Sequence, residues 1–202
     1  MTRLEEEFAR SVALSNWFRD VLSEDGQVSA DRRRMIALAF AALCLEHRAA
    51  FLLLVEHGAN AGAMTLTRAI IEAHIRAVWA SEVATDELLE RFVADRYDPK
   101  VESTLQALKR KGPEHCALFE MLRTHHGILN DYAHGGVRLL SRWIQQGEIA
   151  PKYTDEEMIE ALQFVDIIGA MSATAREALL DKSTQHFSER LHEMLLRTHP
   201  RG

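Results

Sequence analysis

Proline and glycine are scarce in this chain, at 4 and 10 of 202 residues. Both interrupt helices, so their scarcity predicts long regular elements. Cysteine is scarcer still. Cys44 and Cys116 stand far apart with no CxxC spacing, which excludes a disulfide framework and a thiolate zinc knuckle. The acidic start Met1-Thr2-Arg3-Leu4-Glu5-Glu6-Glu7 lacks the apolar stretch of a signal peptide. A cytoplasmic protein that uses its thiols as small hydrophobes is therefore expected. No run alternates with period two beside turn chemistry, so essentially no sheet is expected. Walker, GxGxxG, HExxH and GxSxG motifs are all absent. Their absence removes the usual NTPase, dinucleotide, zinc-protease and hydrolase readings.

Basic charge is also in deficit. The net charge is −6 and the pI is near 5.9, which argues against DNA held on a broad basic face. Arg32-Arg33-Arg34, the only arginine run, reads as a solvated helix start. The stretch from Met35 to Val55 is apolar enough to suggest a membrane span, but Glu46-His47-Arg48 lies at its middle. Charged residues at a bilayer centre cost about 2.5–3.5 kcal/mol each, so a buried core helix is expected there and no membrane partner.

Helix signals fill the rest. Thr2 with Glu5 forms a capping box ahead of Leu4, Phe8, Val12, Phe18 and Leu22, and Asp25-Gly26 ends that helix. Ser29 is a cap for a second helix that runs to about His57 and stops at Gly58. The short link 58–62 predicts an antiparallel third helix, from about Ala63 to Val83. Thr85-Asp86 starts a fourth that ends near Tyr97, and Pro99 a fifth that Gly112-Pro113 terminates. Further helices are predicted from about Glu114 to His125 and from Val137 to Gln146. A capping box of Thr154 and Glu157 opens another to Asp181, and Ser183 a last one before Pro200. The expectation is one all-α domain over residues 1–202. It is an up-and-down bundle of about seven to nine helices with its core at about 29–182.

Polar residues on apolar faces mark candidate sites. In the second predicted helix, Glu46 shares an angular position with Met35, Ala39, Ala42 and Leu53, and is expected to face the core. Arg68 and Glu72 form an i, i+4 pair in the third, at a height that should meet Glu46 across the hairpin. Two carboxylates and a guanidinium in one seam either fix helix register or face a ligand. A second cluster ends in Asn130-Asp131-Tyr132-Ala133-His134-Gly135-Gly136. His126, Asn130 and His134 recur every four residues and stripe one helix face. There His134 either meets the free carbonyls of a helix end, with the glycines as its cap, or has glycines beside it so that backbone or ligand approaches closely. Glu189 and His192 make one ExxH pair, and di-metal bundles need two. No cofactor or metal is expected.

Three resemblances follow from these motifs. Arg68-Ala-Ile-Ile-Glu72 followed by Tyr132-Ala-His134-Gly-Gly136 resembles a family of small bacterial all-helical proteins of unassigned function, over about residues 30–180. More distantly, Asn130 and His134 resemble the polar position and histidine of the HEPN superfamily, helical bundles that are often dimeric ribonucleases. The family's arginine position holds Leu129 here. By that resemblance RNA becomes a partner, with Arg68 as a substitute for the missing guanidinium. A third resemblance, to DinB-like metal-binding bundles, rests on His47 with Asn130, His134 or His126, and lacks that family's His-xxx-His pair.

The combined expectation is a homodimeric bundle, since apolar positions on almost every helix exceed what one bundle buries. Its polar cluster of Glu46, Arg68, Glu72, Asn130, Tyr132 and His134 binds a small anionic or phosphate-bearing ligand. Arg68 serves as charge clamp and His134 as proton donor or acceptor.

Overall fold

A computed structural model of the chain describes residues 1–22, 31–112, 120, 124, 127, 129–145, 148–182 and 184–196. Among the described residues the sequence forms helices where its periodicity predicts them; most of the helix expected over 114–125 and the start expected at Ser183 lie outside those residues. Helix α1 (Arg3–Leu22) opens on the Thr2–Glu5 capping box, with Thr2 N donating to Glu5 Oε2 at 2.7 Å. Helix α2 (Arg32–Glu56) ends at Gly58, whose φ of 70° suits glycine. Helix α3 (Asn60–Val78) returns antiparallel to α2 and continues into a π-helical turn, Trp79–Val83. Then come α4 (Asp86–Val93), capped by Thr85, and α5 (Val101–Lys111). The described part of α6 that bears the site is residues 129–133. Helices α7 (Val137–Trp143), α8 (Asp155–Leu179) and α9 (Thr184–Leu196) complete the order, with the Thr154–Glu157 capping box at the start of α8.

Three predicted boundaries and one surface reading need correction. Asp31, not Ser29, caps α2, its side chain accepting from Arg33 N at 3.0 Å; Ser29 lies outside the described residues. Helix α4 stops at Val93 rather than near Tyr97, and Asp95 follows with a left-handed φ of 54°. The predicted helix over 137–146 ends at Trp143. Ile144 and Gln145 then pair antiparallel with Ile149 and Glu148, the one ladder among the described residues. The arginine run is not merely solvated. Arg33 donates to the carbonyls of Ala80 and Ala84 and pairs with Asp86, tying the start of α2 to the π-turn. Arg34 pairs with Asp181, whose carboxylate raises the guanidinium's already high pKa.

The core is organised by α8, whose faces pack on α1, α2, α3 and α9. Its Leu162, Val165 and Ile168 meet Phe51 of α2 and Ile70 and Ile71 of α3 in the largest cluster. Ala170 and Ala173 meet Leu14 and Phe18 of α1 and Phe187 of α9 in a second. Inside these apolar layers lies a salt bridge. Arg48 of α2 and Asp166 of α8 are 1% and 4% exposed. Arg48 donates to Asp166 Oδ1 through Nε at 3.0 Å and Nη2 at 2.6 Å, to Ser15 Oγ at 2.5 Å and to the Ser11 carbonyl at 2.9 Å. Ser11 Oγ completes the ring by donating to Asp166 Oδ2 at 2.7 Å. Gly169 makes room for it, because a Cβ there would stand 2.5 Å from Arg48 Cδ. Nearby, Cys44 is fully buried, and burial pushes its thiol up to about 11, against a Ser172 hydrogen bond and the Arg48 charge.

Helices α2 and α8 are both long and apolar enough to cross a membrane by length and composition alone. Of the apolar stretch in α8, 61% is buried; in α2 the figure is only 33%.

Removing one partner of the buried pair strands the other. We expect Asp166→Ala to lower stability by about 3–5 kcal/mol in urea denaturation, and Arg48→Met/Asp166→Leu together to recover most of that loss.

Candidate functional site

Helix α6 seats on α3 through Leu129 and Tyr132, which are 8% and 5% exposed. Leu129 joins the main core cluster, and Thr65 Oγ1 of α3 donates to the Tyr132 carbonyl at 3.3 Å. With 129 and 132 turned inward, residues 130 and 134 share the next face of the helix. That face meets Arg68. The guanidinium donates through Nε to Glu72 Oε1 at 2.6 Å, through Nη1 to Asn130 Oδ1 at 2.5 Å, and through Nη1 to His134 Nε2 at 2.6 Å. Because a guanidinium only donates, His134 accepts through a lone pair on Nε2, which requires a neutral ring with its proton on Nδ1.

Three anchors thus hold one arginine at the α3–α6 seam, while its side chain stays 29% exposed and that of Glu72 27%. Among the described residues, Nη2 carries no hydrogen bond. Its two N–H groups diverge in the plane fixed by the other contacts, one beside Nε–H and one beside Nη1. Each can donate singly to a carboxylate or phosphate oxygen.

The structure therefore brings together Arg68, Glu72, Asn130 and His134, and leaves out two residues expected with them. Glu46 is exposed and is not among the partners of Arg68. The face of α2 that carries Glu46, with Met35, Ala39, Ala42 and Leu53, points to solvent. The buried face is instead Ala37, Leu38, Ala41, Cys44, Arg48, Phe51 and Leu52. Helix α2 is apolar nearly all round, so hydrophobicity alone does not set its phase. Tyr132 is close to the cluster but turned inward beside Tyr153. Burial, then the neighbouring Tyr132, pushes the Tyr153 phenol up to about 12, and its buried hydroxyl has no hydrogen-bond partner among the described residues.

Periodicity did not reveal Tyr153 or Thr65, since each acts through a contact with a distant part of the chain. His126 lies outside the described residues. Among the described residues no three His, Cys, Asp or Glu side chains gather as metal ligands. The DinB-like reading thus has no ligand set there, and Glu189 and His192 both stand exposed on α9.

Both glycines after His134 have structural work. Gly135 takes a φ of 70° at the left-handed position after α6, and Gly136 N closes the turn on the Asp131 carbonyl at 2.7 Å. A Cβ on Gly136 would stand 2.5 Å from Asp131 Oδ1 and 2.9 Å from Asp131 Cα. The close approach is made by Asp131, through its carboxylate and its backbone, and the cap sets where His134 leaves the helix. We expect Gly136→Ala to destabilise by about 1–3 kcal/mol in thermal denaturation and to disperse the His134 ring resonances in NMR, because the backbone on one side of the turn must move.

The family of unknown function DUF6988 matches residues 41–195, well over half of the chain, and the match contains all four clustered residues. No curated protein and no solved structure matches. By the extent of this match, the chain belongs to the family of unknown function DUF6988.

Proposed function

We propose that the α3–α6 seam binds a phosphate-bearing ligand in the cytoplasm, with Arg68 as the charge clamp. The observation that carries this reading is the Nη2 group, without a hydrogen bond among the described residues, of a half-buried arginine already held by Glu72, Asn130 and His134. A pre-positioned guanidinium loses little rotamer freedom when an anion docks. Glu72 works in two directions, since it orients the guanidinium and also repels the incoming charge. Inorganic phosphate titrated calorimetrically at low salt should bind with Kd on the order of 1 mM, about −4.1 kcal/mol. Arg68→Met should abolish that binding. Glu72→Gln, which keeps the contact to Nε and drops the charge, should tighten it several-fold. Equal phosphate affinity in wild type and Arg68→Met would sink the reading.

A second reading is favoured by one contact. The guanidinium that HEPN proteins carry beside their histidine is supplied here from α3, within 2.6 Å of His134 Nε2. Leu129, at the family's arginine position, is core. This supports metal-independent RNA cleavage. On docking, a phosphate would draw Arg68 off His134 and free the Nε2 lone pair. The imidazole would then take the proton of a ribose 2′-hydroxyl, its oxygen would attack phosphorus, and the bond to the 5′-oxygen would break with proton return. RNA incubated with the protein in chelator should yield 2′,3′-cyclic phosphate ends, and His134→Ala should lower the rate by about 100-fold or more. Cleavage that survives that substitution unchanged belongs to a contaminant.

A further inference from the structure

The solvent face of α2 is not an ordinary helix surface. Met35, Ala39, Ala42, Glu46, Ala49 and Leu53 recur at alternating steps of four and three, and all six are exposed. Met35 and Leu53 are 47% and 59% exposed, and Leu43 beside the row is 36%. A strict alternation of fours and threes averages 3.5 residues per turn, the spacing of a helix that pairs along its whole length with another helix. The core-facing side of α2 is already filled by α3 and α8, so this second stripe is surplus to the monomer.

We propose that the stripe is the interface with a second copy of this chain, the two α2 helices crossing antiparallel about a two-fold axis at the level of residue 44. That arrangement sets Met35 against Leu53 of the partner and Ala39 against Ala49. Ala42 meets Glu46, and Leu43 of each copy lies within one turn of the axis. The alanines let the helix axes approach to about 8 Å. The same register carries the row one step further at each end, where exposed Arg32 meets Glu56 of the other copy, twice by symmetry. A parallel pair would instead stack Arg32 on Arg32, Glu46 on Glu46 and Glu56 on Glu56. Charge complementarity therefore selects the antiparallel copy. Among the described residues of one chain, the ion pair of Arg32 is with Glu90, at 4.0 Å with both side chains mostly exposed, a contact the interface can replace. Glu46 is the unfavourable element, held opposite an alanine with its head at the rim.

The test is sedimentation of the full chain and its variants, with far-UV circular dichroism as the control for folding. The wild type should sediment as a dimer. Leu53→Glu should be monomeric with an unchanged helical spectrum, because the side chain is exposed in the monomer. Arg32→Glu should weaken dimerisation by about tenfold, and Arg32→Glu/Glu56→Arg should restore it. Glu46→Ala should strengthen it. A monomeric wild type, a dimer indifferent to Leu53→Glu, or a double charge reversal that fails to restore would each overturn the proposal. Monomeric protein that binds phosphatidylglycerol vesicles and loses them with Leu53→Glu would also overturn it, assigning the stripe to a lipid surface.

Discussion

The bundle turns on one buried ion pair. Arg48 and Asp166 are both withdrawn from water, and either left there without the other would be a costly uncompensated charge. Their mutual attraction is completed by two serines and a carbonyl from α1, so that three helices must arrive in one register for the polar groups to be satisfied. The apolar layers on either side supply most of the free energy of folding, but layers of leucine, isoleucine and alanine tolerate sliding. The ring of polar contacts does not. The missing side chain at Gly169 shows how closely α8 is drawn to the arginine stem.

From that register the candidate site follows. Helix α3 is fixed against α2 and α8 by its buried face, which leaves Arg68 and Glu72 on its edge. Helix α6 then docks on that edge by Leu129 and Tyr132. The turn Gly135-Gly136 ends α6 at a defined point, and His134 meets the guanidinium there. Positioning comes from packing and capping at a distance from the polar atoms. Among the described residues, Nη2 of that arginine is left without a hydrogen bond.

Helix α2 serves two surfaces. One face holds the core and the buried arginine, and the opposite face carries the exposed heptad row. Apolar residues on both faces explain why its composition resembles a membrane segment. They also explain why a search for a single amphipathic phase misplaces Glu46. In the neighbouring α3, by contrast, a polar edge interrupts the apolar face, and the phase of Arg68 and Glu72 was legible.

Local chemistry in the sequence determined the helices: two capping boxes, glycine stops at 58 and 112, and apolar spacing gave the all-α class and most boundaries. The i, i+4 pairs Arg68–Glu72 and Asn130–His134 were visible for the same reason, since both partners sit on one helix. Tertiary structure decided which of those pairs meet, and it joined the two into one cluster while sending Glu46 to solvent and Tyr132 inward. It also chose Arg48 over Glu46 as the buried charge of α2, because the carboxylate and hydroxyls that hold it come from Asp166, Ser11 and Ser15. Contacts between residues far apart in the chain leave no period in the sequence, so packing alone reveals them.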